Sequence, residues 1–527
     1  MACYFAAGIL ILITKATAIE DAAFWNKVAR LELDAGLDMR QNLLRAHNVV
    51  LFVGDGMGPN TITASRIYKA QLRTTGRNNP QEAPESSFLR FEKFPHVALL
   101  KTYNVDKQVP DSAGTATALF CGVKTNFKTV GVDANVKLGD CESSLDPAFH
   151  VHSILKWAQD AGKRTGFVTN TRVTHATPAA LYAHCAHRSW ECESKMPKGA
   201  ENCKDIARQL IEDEPGISIN VIMGGGRQCL TSNITSTAYD PIDTWACQRK
   251  DGRDLINEWE MRRKSQADSY RVVSTSKGLA EIDFTRTDYL LGVFANGFLK
   301  YDHEIDPEVT PTLAQMSAAA IEILQKGENG FVLVIEGGLI DQAHHRGTAR
   351  RALDETVALD KAVEESLKKL HLPDTLVIVT ADHTHSLSIN GYPDRGSDIL
   401  GIAQRSKADG LNFTTLTYAS GTDIKYFPFN ETHVTRTDPS KEDLTDFKYQ
   451  HQATFLHDEA NHGGGEVTVY AIGPWSHLFH AVHEQNFVAH VIGYAAKIGA
   501  YKDTENWANC YTSQLPVLIL SFMSLLM

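Results

Sequence analysis

Three things are scarce in this 527-residue chain: long hydrophobic runs, excess basic charge and internal repetition. Its uncharged apolar stretches lie at the two ends and fall short of the roughly 20 residues that cross a bilayer as a helix. Lys and Arg number 52 against 63 Asp and Glu, a net charge of -11, so the counterion release that rewards basic faces on nucleic acid is missing. With 43% apolar and 22% charged residues and no low-complexity tract, disordered and collagen-like readings fall away. What remains is a large globular protein whose acidic excess suits it to holding divalent cations.

The ends carry routing signals. Residues 1–18, MACYFAAGILILITKATA, close on Ala16-Thr17-Ala18, the small-residue pattern of a signal-peptide cleavage site, although a basic n-region is missing. The alternative is a buried first helix, against which stands the lack of an amphipathic stripe. Cleavage starts the mature chain near Ile19 and removes Cys3, leaving eight of nine cysteines in an oxidising compartment. Three sequons, at Asn233, Asn412 and Asn430, agree with export and mark candidate glycosylation sites. At the other end LPVLILSFMSLLM, residues 515–527, has the length of a GPI-attachment tail, with residues 506–509 offering rough attachment positions. One domain is therefore expected over 19–509, with 510–527 set apart as a hydrophobic tail.

Short β-branched apolar runs at 48–53, 165–169, 219–223, 331–335 and 375–380 read as buried strands. Helical patterns at 150–161, 203–212, 311–326 and 349–370 fall between them. Such alternation predicts an α/β fold, a three-layer sandwich with a mostly parallel central sheet flanked by helices. From about 392 to 460 the pattern weakens into polar, turn-rich sequence, which reads as a surface insertion in the same domain. Binding groups in sheets of this kind stand just beyond the carboxyl ends of the strands.

Acidic residues and histidines stand at those places. The first run leads into Gly54-Asp55-Gly56-Met57-Gly58, where Asp55 is either a hard-cation ligand or a helix cap. Residues 111–118, DSAGTATA, read as a loop entering a helix, with Ser112 either a cap or a nucleophile beside free helix N–H groups that favour a phosphate. After the fourth run come Glu336 and, four residues apart, Asp341 and His345, which share one face if the stretch is helical and then have zinc-ligand spacing. After the fifth come Asp382 and His383, and farther on His462 precedes three glycines.

Residues 53–58, 111–118, 336–345, 381–385 and His462 stand in the order and approximate spacing of alkaline phosphatase motifs. From Phe24-Trp25-Asn26 to about Ala496, the chain resembles the animal, insect-like, membrane-bound or secreted members of that family. The resemblance implies a metal-dependent phosphomonoesterase of broad range, working at alkaline pH through a phosphoserine on Ser112. It implies two Zn2+ and one Mg2+ per chain. Asp341, His345 and His462 would hold one zinc, and Asp55, Asp382 and His383 the other. Asp55 would bridge to the magnesium, completed by Thr177 and Glu336. His344 and His385 would lie outside the first shell.

Arg188 matches the family's phosphate-gripping arginine, a planar fork that lysine cannot replace. His175 matches a position near the magnesium-side waters and could equally be a satisfied structural histidine. Gln342 stands near the bound phosphate, where relatives carry histidine or lysine. No tight Ca2+ site is expected, since Ala295 follows Phe294 where calcium-binding relatives have glutamate.

By the same resemblance the chain is a homodimer, Cys141 pairs with Cys203, and Cys121 is free. Sequence proximity alone suggests Cys229 with Cys247 and Cys185 with Cys192. Two rival readings are a phosphodiesterase or sulfatase of the same superfamily, disfavoured by Ser112 and Arg188, and a catalytically inactive surface receptor, disfavoured by the chemically intact motifs.

Overall fold

Continuous apolar runs form the centre of the protein because its middle strands are covered on both faces. In a computed structural model describing residues 20–74, 83–422, 426–430 and 433–503, eight strands of the central sheet precede the insertion. They are Asn48–Gly54 (β1), His96–Lys101 (β2), Arg164–Arg172 (β3), Val221–Gly225 (β4), Tyr270–Val273 (β5), Tyr289–Val293 (β6), Phe331–Gly337 (β7) and Thr375–Ala381 (β8). With Val467–Ile472 and Val482–Glu484 they make one ten-stranded sheet. Its order is Val482–Glu484, β2, Val467–Ile472, β8, β1, β7, β3, β4, β6, β5. From β8 to β5 every pairing is parallel, and only Val467–Ile472 runs antiparallel to its neighbours. The expected leader at 1–18 and tail at 510–527 lie outside the described residues.

Register puts the chemistry at one level. Val53 in β1 sits beside Glu336 of β7 and Thr380 of β8, and Thr169 of β3 sits on the other side of Glu336. Asp55, Glu336 and Asp382 therefore emerge together at the carboxyl edge. Helices Leu313–Leu324, Ala349–Leu367 and Pro59–Thr74 pack in succession, the second reaching β7 and β1, while Ile154–Asp160 and Phe487–Ala496 pack together and reach β3 and β1. The Leu313 helix starts on a reciprocal cap, Thr312 receiving Gln315 N and the Gln315 side chain receiving Thr312 N.

The chain divides into two compact units. In residues 1–41, helix Ala22–Leu37 starts on Asp21, which accepts from Phe24 N, and buries none of its residues. Residues 42–527 carry the sheet and the candidate site.

The stretch expected as a surface insertion holds short strands of its own. Leu416–Gly421 pairs with Leu387–Ile389 and Ala453–Leu456, and Ile402–Arg405 pairs with Asn412–Thr414. Leu416, Tyr418, Ala453 and Ala460 bury a second small core against Ala64, Ile67, Ala349 and Leu353. Asn233 is exposed, Asn412 is half-buried with its amide donating to Asp438, and the side chain of Asn430 lies outside the described residues.

Cys141 and Cys203 are disulfide-bonded, as the resemblance implied. The two proximity pairings are corrected: Cys192 bonds Cys247, and Cys185, Cys229 and Cys121 are free and buried. Cys185 and Cys192 are near in sequence, but the Cys185 thiol faces the His187 carbonyl at 3.3 Å. Cys229 does pack with Cys192 and Cys247, yet its thiol approaches the Cys247 carbonyl at 3.5 Å.

Candidate active site

Asp111 organises the helix start that carries the candidate nucleophile, Ser112. It caps helix Ser112–Cys121, accepting from Ala113 N at 3.2 Å and Gly114 N at 3.4 Å, as a side-chain acceptor does at an N-cap. Asn104 Nδ2 and Lys128 N hold its Oδ1, and Arg188 Nη1 donates to its Oδ2 at 3.1 Å. The candidate nucleophile and the candidate phosphate grip thus share one carboxylate. Ser112 Oγ lies 3.2 Å from His383 Nε2.

Asp341, His345, His385 and His462 converge at the end of β7 and beyond. His345 Nε2 is 3.2 Å from Asp341 Oδ2 and 3.1 Å from His462 Nε2, which is 3.5 Å from Asp341 Oδ1. Carbonyls fix the tautomers: His345 Nδ1–H donates to Ala460 O and His462 Nδ1–H to Pro110 O, leaving both Nε2 lone pairs inward. His385, expected outside the first shell, points Nε2 at Asp341 Oδ1 at 2.5 Å and so orients that carboxylate. His344 is fully buried and satisfied by Thr61 Oγ1 and the Tyr418 hydroxyl, a structural role. Gly56 has φ of +70°, and a Cβ there would lie 2.7 Å from His385, so only glycine lets β1 turn beneath this group.

Beside it, Asp55 and His383 form a second group with Asp341, and Asp55, His175 and Glu336 a third. Among the described residues neither Asp55 oxygen accepts a hydrogen bond, although His383 Nε2 lies 3.3 Å from Oδ1. Asp382 stands 3.3 Å from the same nitrogen, its oxygens held by Gly56 N, His383 N and Thr115 Oγ1. Glu336 Oε2 accepts from Thr169 and Thr171, while Glu336 Oε1, Thr177 Oγ1 and His175 Nδ1 are buried without partners among the described residues. His175 Nε2 meets Arg188 Nη2 at 3.2 Å. Gln342, half-buried, donates to Asp341 Oδ2 at 3.3 Å.

So many buried acids strain one another. Burial, then the charges of Asp341, Asp382 and Glu336, push the Asp55 carboxyl well above its ordinary range. Burial carries Glu336 to about 7 despite the hydroxyls of Thr169 and Thr171. Burial opposes ionisation of Asp341, but the charges of His345 and His385 outweigh it and hold that carboxyl well below the usual range. His175 is pushed far down by burial, then by Arg188 and Arg172. The buried, unpartnered oxygens of Asp55 and Glu336 are donors suited to a cation.

Sequence reading did not single out Thr115, Thr169, Thr171 and Asn104, which orient Asp382, Glu336 and Asp111. The only signal for Thr115 was its place in the small-residue run at 111–118.

Serine at a helix start, an arginine beside it and three adjoining acid–imidazole groups on the carboxyl edge of a parallel sheet define a metal-dependent hydrolase of phosphate esters. Residues 46–498 match the family model described as alkaline phosphatase. The chain is 44% identical over 481 residues to an alkaline phosphatase of Gadus morhua, covering 90% of this chain and 97% of that one. It is 38% identical over 509 residues to alkaline phosphatase 4 of Drosophila melanogaster, covering 92% and 83%. Among solved structures the fold resembles Thermus thermophilus alkaline phosphatase, with a TM-score of 0.58 at 22% identity over 92% of this chain and 95% of that one. The chain belongs to the alkaline phosphatase family.

Proposed function

We propose that the chain is an exported alkaline phosphatase that hydrolyses phosphate monoesters of broad range through a phosphoserine on Ser112. The observation that carries this reading is Asp55, fully buried with both oxygens free of hydrogen bonds among the described residues and 3.3 Å from His383, the imidazole that Ser112 meets. Its orphaned oxygens, with those of Glu336 and Thr177, fit cations held by oxygen and imidazole donors. Asp341, His345 and His462 would hold one zinc; Asp55, Asp382 and His383 a second; Asp55, Thr177 and Glu336 a magnesium. Bound there, the metals lower the pKa of the attacking hydroxyl and offset charge on the transferring phosphoryl group.

The chain's own residues do the rest. The cap on Asp111 fixes Ser112 at the helix start, so its oxygen attacks phosphorus in line and the alcohol oxygen departs. Asp111 and His175 restrain Arg188, so two phosphate oxygens meet a fork that needs little ordering. Water then attacks the phosphoserine phosphorus, returning serine and inorganic phosphate. Little of this touches the alcohol portion, which favours broad specificity.

Calcium is not part of the proposal. Ala295 follows Phe294 where calcium-binding relatives have glutamate, so it offers no side-chain carboxylate, and its backbone oxygen accepts from Arg227 N. Two disulfides, the leader and the tail support secretion with GPI anchoring on the outer membrane face. No helix among the described residues is long and apolar enough to cross a membrane. Homodimerisation and glycosylation complete the proposal. Ser112→Ala tests it: the variant should fold and retain metal yet lose turnover of an aryl phosphate and acid-trapped phosphoenzyme. Label trapped on another residue would sink the assignment.

A further inference from the structure

His175 and Arg188 touch, but they arrive on different segments. One buried carboxylate fastens those segments together. Glu191, three residues beyond Arg188, accepts from Arg172 Nε at 2.8 Å, Arg172 Nη2 at 2.7 Å and Thr174 Oγ1 at 2.7 Å. Arg172 and Thr174 belong to the turn that carries His175, whose N–H closes on the Arg172 carbonyl. The third arm, Arg172 Nη1, donates to Asp243 Oδ2 at 3.2 Å. The guanidinium also lies 4.3 Å over the Phe298 ring, which meets the His175 ring edge-on at 5.4 Å.

Behind the pair stands the Cys192–Cys247 disulfide. Cys192 follows Glu191 directly, and Cys247 shares a loop with Asp243 that Gln228 pins by accepting from Asp243 N and donating to the carbonyls of Asp243 and Cys247. The cross-link therefore joins the two segments that supply Arg172 with its carboxylates. A buried ion pair adds little net stability, because desolvation offsets its attraction. A guanidinium bound along two edges and stacked on a ring cannot turn, however, and that rigidity passes to the turn it anchors.

We propose that the Arg172–Glu191 pair, braced by the Cys192–Cys247 disulfide, is a positioning device that sets His175 against Arg188 and thereby the strength of phosphate capture. It acts through those two residues, and it rests on the reading of Arg188 as the phosphate grip.

The test uses metal-loaded full-length proteins, with zinc content checked, and inorganic phosphate as probe. Arg172→Lys keeps the charge but cannot bind two edges. It should raise both the KM for an aryl phosphate and the phosphate inhibition constant roughly fivefold or more while kcat changes less, and calorimetry should show the same weakening of phosphate binding. Cys192→Ser/Cys247→Ser should shift the same quantities in the same direction, and adding Arg172→Lys should bring no further loss. Cys141→Ser/Cys203→Ser, where the Cys203 sulfur neighbours Ser144, should lower Tm without moving phosphate binding. Equal shifts from the two disulfides would reduce the bond to general stability and overturn the proposal. A silent Arg172→Lys would overturn it alone, provided Arg188→Ala weakens phosphate. If Arg188→Ala also leaves phosphate binding unchanged, the reading of Arg188 falls and the proposal with it.

Discussion

Replacing Glu336 with Gln should act with opposite sign in the metal-free and metal-loaded protein. Burial raises the Glu336 carboxyl from 4.5 to about 7 when no cation faces it. In the unfolded chain the ordinary value returns, so between pH 4.5 and 7 the folded state holds a proton that the unfolded state has lost. Stability therefore falls as pH rises across that window and levels off above it. The gap of roughly 2.5 pH units, at about 1.36 kcal/mol each, makes this cost about 3 kcal/mol at pH 8.

Gln has the same shape and still accepts from Thr169 and Thr171, but it does not ionise. Chelated Glu336→Gln should grow more stable than chelated wild type from pH 4.5 to 7, reaching about 3 kcal/mol. With zinc and magnesium present the order should reverse, because an ionised ligand is gone. Guanidinium unfolding midpoints in chelator and in metal, from pH 5 to pH 8, measure this as the difference between the two proteins, in which the buried histidines common to both cancel. A difference in chelator that stays flat with pH, or a variant less stable than wild type at pH 8, refutes the reasoning.

Arg188→Ala should lower kcat/KM for an aryl phosphate roughly 10- to 100-fold by removing a charge-assisted fork; a change under twofold would remove Arg188 from substrate binding. Gln342 is a neutral amide beside Asp341, so Gln342→Lys should tighten phosphate inhibition across neutral and alkaline pH, and Gln342→His only where its imidazole is protonated. Superimposable inhibition curves for the three proteins would rule the charge argument out. The mature protein should lack residues near 510–527 and leave membranes on treatment with a phosphatidylinositol-cleaving phospholipase, and detection of Met527 in the surface protein would exclude this processing.

The central strands were legible because burial on both faces demands unbroken apolar runs: all of Val49 to Val53 are fully buried. β2 and Val467–Ile472 escaped notice because they alternate buried and half-exposed residues, a weaker pattern in short stretches. Motif order exposed Ser112, Asp341, His345 and His383, since each follows a strand or opens a helix. Their orienting partners were not legible: Thr115 reaches Asp382 across 267 positions, and no local pattern encodes that contact. Pairing cysteines by sequence proximity failed for the same reason, as closure in space joined Cys192 to Cys247 across 55 positions.

Anyone shortening this protein would begin with the polar stretch at 392–460, and the structure sets the limit. The hairpin Ile402–Arg405 with Asn412–Thr414 makes no hydrogen bond to the helix Leu339–His345. Tyr418 holds His344 on one side of that helix, and Ala460 clasps His345 on the other through both its N–H and its carbonyl. A trimmed chain that kept every candidate ligand but lost these two residues would present His345 on an unbraced helix. The smallest working version therefore retains part of what resembles ornament, and its minimum length is set by bracing rather than by chemistry.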